Sequence, residues 1–465
     1  MAGETPALLL AGKMIPPSAS NGDTIMSRKR NLLAVLFLLC FALSALAQKS
    51  PKLDLSKANR PEDAGFSSER LARITQFFQG EVDKGAIPGA VLLVARNGKV
   101  VYDHAIGYQD REKKIPMKPD AIFRIFSMSK PITTVAVMML AEEGKIDLLA
   151  PASQYLPEFK DLKVAVEKTD PATGKTVLAL EDPKRPMTVQ DLLRHTSGLV
   201  YGPFGHTLVH DAYNKANLFD NGQTLAEMVT KLAKLPLAHQ PGTVWEYGMS
   251  VDVLARIVEV VSGMPFDRFI AERITTPLGM RDTAFYLNSA QAPRLAEPQV
   301  DATTGKRPPW DEAADLTKDK IKWFSGGGGL LSTAWDYARF SQMLVNGGEL
   351  DGIRLLSPKT IALMTSDQLL PGTPRVGDVA VTQDLSPVAE MGQSFGLGFA
   401  VRTDPGRSPV TGSAGDYFWA GAAGTYFWID PQEKLFAVLM LQKPFLEAGY
   451  CRRALRETVY GALVK

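Results

Sequence analysis

Apolar patterning along the chain restricts its fold more than any other feature, because strand-like segments stand at both ends and helical ones fill the middle. Near the start, residues 66–85 place Leu71, Ile74, Phe77, Phe78 and Val82 at helical spacing, and Gly85 and Pro88 close the segment. Ala90-Val91-Leu92-Leu93-Val94 and Val100-Val101-Tyr102 then flank Asn97-Gly98, the strongest two-residue hairpin signal. Residues 395–401, 425–429 and 435–441 read as strands at the far end, and 446–464 as a terminal helix. Helical periodicity occupies 131–143, 188–195, 224–233, 250–262, 266–273 and 333–345, with Pro- and Gly-rich loops between. The pattern predicts an α+β fold. An antiparallel sheet built from both chain ends is flanked by N- and C-terminal helices, and an all-α domain is inserted. The α/β part takes about 60–125 and 310–465, and the helical part about 127–310. Residues 366–394 lack periodicity and contain Pro371, Pro374 and Pro387, which predicts a long surface loop bordering a cleft.

A chain of 465 residues with 45% hydrophobic and 22% charged content is long enough for this layered architecture. Its net charge of +2 gives no basic footprint for nucleic acid. From Met26 the sequence is that of an export leader: Ser27-Arg28-Lys29-Arg30, the apolar run Leu32 to Leu43, then Ala45-Leu46-Ala47 before Gln48. The apolar core is too short to span a bilayer comfortably. Residues 1–47 are therefore expected to be a signal peptide with upstream residues. Cleavage near Ala47 would leave residues 48–465 as an exported domain without stable membrane insertion. That removes Lys13, Arg28, Lys29, Arg30, Glu4 and Asp23, leaving 48 basic and 48 acidic residues. Cys451 then stands alone, so no intrachain disulfide forms, and a catalytic cysteine does not suit an oxidising compartment.

Ser127-Met128-Ser129-Lys130 is a Ser-x-x-Lys at the start of a helix, with Pro131 in the first turn and Gly144 as the stop. Three residues apart, serine and lysine share one helix face. A buried lysine with a lowered pKa can take the serine proton. The same residues also fit an N-cap serine beside a surface lysine. Tyr247, at the loop–helix junction Trp245-Glu246-Tyr247-Gly248-Met249-Ser250, fits either a cleft phenol or a packed core tyrosine. Trp419-Ala420-Gly421-Ala422, ahead of a strand, fits either an oxyanion-binding edge or a plain turn.

In this order the three sites resemble the penicillin-recognising serine hydrolases: class C β-lactamases, DD-peptidases and family VIII carboxylesterases. Leu192-Leu193-Arg194-His195-Thr196-Ser197-Gly198-Leu199 and Gly326-Gly327-Gly328-Gly329 before Leu331-Ser332-Thr333 extend the resemblance over nearly all of residues 60–460. It implies a β-lactamase/transpeptidase-like fold with Ser127 as nucleophile, Lys130 as its partner and Tyr247 as general base. It also implies an oxyanion hole from the Ser127 and Ala422 N–H groups, with His195 ordering its loop. Met249 stands where class C enzymes carry an asparagine whose amide reads the drug's side chain. Trp419-Ala420-Gly421 stands where they carry Lys-Thr-Gly. Both departures point to the esterases, with Trp419, Gly421 and Met249 against an uncharged small-molecule ester. The alternatives are a β-lactamase, a peptidase of D-amino-acid substrates, an acyltransferase, or a silent cell-wall binder. The resemblance implies no cofactor.

Two further patterns are set aside. Gly392-Gln393-Ser394-Phe395-Gly396 matches the nucleophile elbow of α/β-hydrolases. No histidine follows it, however, the last being His239, and it runs into a predicted strand rather than a helix. His206 and His210 have metal-ligand spacing. No glutamate follows His206, and Gly202, Pro203 and Gly205 predict a loop, so no metal site is expected.

Overall fold

The computed structural model describes residues 54–300, 304–308, 316–376 and 387–465. The expected leader and its cleavage point lie outside these residues. Nine strands form the main sheet. They are β1 (Ser56–Lys57), β2 (Gly89–Arg96), β3 (Lys99–Asp110), β4 (Ile115–Pro116), β5 (Gln393–Phe395), β6 (Ala400–Arg402), β7 (Tyr417–Ala420), β8 (Tyr426–Asp430) and β9 (Leu435–Leu441). Their order is β1-β3-β2-β9-β8-β7-β6-β5, with β4 paired to β3, and every pairing is antiparallel except β1 with β3. The two chain ends meet at the seam between β2 and β9, from Leu435 opposite Arg96 to Leu441 opposite Ala90.

Helices cover both faces of the sheet. Trp428 and Phe427 are neighbours on β8 and so point to opposite sides. Trp428 donates to the Tyr460 hydroxyl on α5 (Phe445–Gly461) at 3.3 Å. That helix packs along α1 (Ser68–Asp83), and Arg70 donates to the Gly461 carbonyl at 3.0 Å. Phe427 meets Tyr337 of α4 (Ala334–Val345) with 4.9 Å between ring centroids. Beyond α4 lies the helical layer, whose axis is α2 (Ser129–Glu142), buried at every position from Ser129 to Leu140 and packed on α3 (Ser250–Ser262). This is the expected α+β architecture. Among the described residues no helix is long and apolar enough to cross a membrane.

Three local expectations fail. The strand expected over 395–401 is the hairpin β5–β6, turned at Gly398, whose φ of +83° suits glycine and not an L side chain. Of residues 206–210 only the first part is a loop: His206 stays in it, and Thr207 caps the helix Leu208–Lys215 by accepting from the His210 N–H. The middle also contains an antiparallel hairpin, Val164–Thr169 with Thr176–Glu181, where only helices were expected. Within the expected surface loop, Arg375–Val376 pairs in parallel with Trp245–Glu246, just ahead of Tyr247.

Candidate active site

Ser127 sits in the 3-10 turn Phe126–Met128 that leads into α2. The preceding Phe126 has a φ of +43°, a strained backbone for a bulky residue. The surroundings hold it there. Phe123–Arg124 pairs with Leu331–Ser332, Ile125 N–H donates to the Leu330 carbonyl at 3.1 Å, and the Tyr337 hydroxyl donates to the Met128 carbonyl at 2.9 Å. Pro131 falls in the first turn, where its missing N–H costs no hydrogen bond. Ser127 remains partly open to solvent, whereas Lys130, one turn on, is 1% exposed.

Lys130 Nζ lies 3.1 Å from Ser127 Oγ and donates to the Gly327 carbonyl at 2.6 Å. It also sits over two aromatic rings, 4.5 Å from the Tyr247 centroid and 5.3 Å from that of Tyr201. Burial penalises its charged form and pushes its pKa down to about 7, against the attraction of Asp252. Asp252 is buried on α3, where it accepts from Ser325 Oγ at 2.5 Å and from Gly327 N–H at 3.1 Å. Its own pKa is raised by that burial.

Tyr247 lies between these groups and an aromatic wall, its ring 5.4 Å from Trp419 and 4.9 Å from His195. Burial pushes its pKa well above the ordinary phenol value, although the Ser127 and Trp419 side chains favour the phenolate. Among the described residues its buried hydroxyl forms no completed hydrogen bond. Burial thus disfavours the charged form of both groups, with Lys130 titrating at about 7 and Tyr247 well above the ordinary phenol range. His195 is buried and neutral, its pKa held well below the usual value by burial and by Lys130, and it packs edge-on against Trp245.

Two expected substrate contacts require correction. Met249 has no exposed surface, because it opens α3 and its side chain enters the apolar core. Trp419 is also fully buried, its ring against Tyr247 and Phe395, so it backs the tyrosine rather than presenting a face to an acyl group. Gly421 and Ala422 follow β7, and Ala422 is partly open. Neither the Ser127 nor the Ala422 N–H meets a backbone acceptor among the described residues.

Ser394 lies on β5, where its hydroxyl donates to Asp367, and no helix follows it. His210 Nε2 lies 3.1 Å from one oxygen of Glu246 and His239 Nε2 lies 2.6 Å from the other. These bonds tie the helix Leu208–Lys215 and a neighbouring loop to the segment before Tyr247. Among the described residues no group of three such side chains is arranged to hold a metal ion. Asp252, Tyr201 and Ser325 were not anticipated. The signal for Asp252 was a lone carboxylate set among Val251, Val253 and Leu254 on an apolar helix.

Residues 74–460 match the family model described as Beta-lactamase. The chain belongs to that family. Beta-lactamase family membership makes it a serine hydrolase, with esterases, peptidases and acyltransferases among its relatives. Protein Rv1367c of Mycobacterium tuberculosis is 37% identical over 363 residues, covering 77% of this chain and 87% of the relative. Esterase EstB of Burkholderia gladioli is 31% identical over 413 residues, covering 84% and 95%. The solved structure of EstCE1, a hydrolase with promiscuous acyltransferase activity, superposes with a TM-score of 0.69 at 28% identity, covering 84% and 99%.

Proposed function

We propose that this family member is a carboxylesterase that acylates Ser127. One observation carries the assignment of roles: a buried lysine with a pKa near 7 stands 3.1 Å from an open serine hydroxyl. Neutral Lys130 takes the Ser127 proton as Oγ bonds to the ester carbonyl carbon. The Ser127 and Ala422 N–H groups receive the resulting oxyanion. Collapse of the adduct expels the alkoxide, which takes a proton from the Tyr247 hydroxyl, and the Lys130 ammonium restores it. Water then attacks the acyl-enzyme by the same groups in reverse, releasing the acid and free Ser127.

An uncharged ester is favoured over a β-lactam because neither Met249 nor Trp419-Ala420-Gly421 supplies an amide or a cation. A charge-assisted partner is worth about 1.5–3 kcal/mol, roughly ten- to a hundred-fold in affinity. The similarity to EstB, named as an esterase, supports the same reading. The test compares kcat/KM for p-nitrophenyl butyrate and nitrocefin on one preparation, with Ser127→Ala as control. The ester should lead by tenfold or more and Ser127→Ala should abolish both reactions. Equal or inverted values would promote the β-lactamase reading. An active Ser127→Ala would remove the nucleophile.

A further inference from the structure

We propose that Arg452, on the opposite chain end from Ser127, is a positioning residue for the oxyanion hole. The inference rests on the reading of Ala422 N–H as one of the two oxyanion donors. Arg452 lies on α5 and is 3% exposed, and its Nη2 donates to the Gly421 carbonyl at 3.1 Å. The Gly421 carbonyl and the Ala422 N–H belong to one planar amide and point in opposite directions. A cation bonded to the carbonyl therefore fixes the plane in which the N–H is aimed. It also draws electron density toward the oxygen and makes the N–H a stronger donor.

The rest of the turn is built to hold this peptide still. The Gly421 carbonyl accepts a second hydrogen bond, from Gly424 N–H at 3.0 Å, and Gly421 N–H donates to the Thr425 carbonyl at 2.9 Å. Thr425 Oγ1 donates to the Ile125 carbonyl at 3.2 Å, tying the turn to the backbone two residues before the nucleophile. A Cβ on Gly421 would stand 2.2 Å from Thr425 Oγ1 and 2.3 Å from the Ile125 oxygen, so only glycine permits this approach. None of these bonds involves the guanidinium, so its removal should alter the field at Ala422 while the turn stays folded. Arg456, one turn further along α5, pairs with Asp416 at 2.5 Å and anchors the helix that presents Arg452.

The test uses Arg452→Met and Arg452→Lys in the full chain, with competent sites counted by fluorophosphonate labelling. For each, kcat and KM for p-nitrophenyl butyrate and the Ki of phenylboronic acid are measured. The boronate's tetrahedral adduct places an oxygen in the hole. Outright loss of an oxyanion donor costs about 100- to 1,000-fold in kcat, so weakening one donor should cost Arg452→Met about tenfold per labelled site. KM should stay within about twofold, the boronate Ki should rise in step with the loss in kcat, and Arg452→Lys should fall between the two. Wild-type kcat per labelled site with an unchanged boronate Ki would overturn the proposal and leave Arg452 as packing alone. Should Arg452→Met not fold, Arg452→Lys carries the same decision. If Ser127→Ala retains activity, the underlying site assignment is what fails.

Discussion

Burial lowers the Lys130 pKa to about 7, which bears on both the proposed reaction and stability. In the proposed mechanism Lys130 must be neutral to take the Ser127 proton, so kcat/KM should rise with pH through about 7. For stability, the unfolded lysine keeps its proton up to its ordinary value of 10.5, whereas the folded one releases it near 7. Between those values the unfolded chain binds more protons, so this group's contribution rises with pH across that window. Below it both states are protonated and the burial penalty is felt in full. Asp252 opposes the shift, because its charge favours the ammonium. Asp252→Asn keeps acceptor capacity for Ser325 and Gly327 but loses the charge. The acid limb of the p-nitrophenyl butyrate profile should then move down by about one pH unit. An unmoved limb would mean that Lys130 is not the titrating base. Lys130→Arg should be inactive at every pH, because a guanidinium does not give up its proton in this range.

At the level of single elements, the hairpin β5–β6 shows why a motif needs its setting. Ser394 is 2% exposed and held by Asp367 and by Arg375 Nη2 at 3.3 Å. Ser394→Ala should leave kcat per labelled site at the wild-type value while lowering stability by about 1–3 kcal/mol, read from denaturant melts. Lost activity in a folded Ser394→Ala would restore the rejected nucleophile. The elements legible in the sequence, among them α1, α2, α3, α4, α5, β2, β8 and β9, carry apolar residues at helical spacing or in unbroken runs. Two elements were missed for physical reasons. Thr176–Glu181 has no buried residue, so its hairpin carries no apolar alternation. The helix Leu208–Lys215 was masked by Gly202, Pro203 and Gly205, which shape its approach and leave Thr207 to start it. In the site, Ser127, Lys130 and Tyr247 were readable as a motif, and the structure brings them together. The burial of Met249 and Trp419 was not readable. That of Trp419 depends on Tyr247 and Phe395, which arrive from distant parts of the chain.

Over the whole molecule, the seam between β2 and β9 makes the last quarter of the sequence part of the core. All seven residues of β9 are buried, and they lie between the hairpin strand β2 and the strand β8 that follows the oxyanion turn. A buried Val, Leu, Met or Phe side chain stabilises by about 1.5–3 kcal/mol. Removing such a strand therefore costs on the order of 10 kcal/mol, as much as a whole domain's net stability. A chain ending at Asp430 should consequently show no cooperative thermal transition by near-UV circular dichroism and no fluorophosphonate labelling. A chain ending at Gly461 tests the opposite expectation. It loses the bonds from Ser67 N–H to Ala462 and from Val464 N–H to Gly65, yet Val464 is half exposed and α5 with Arg452 stays intact. That chain should melt cooperatively, a few degrees lower, and keep its kcat per labelled site. If the Asp430 truncation folded and labelled, the sheet would not depend on its central C-terminal strand. The helical layer would then have to hold Ser127 in place unaided, and Arg452 could have no part in positioning Ala422.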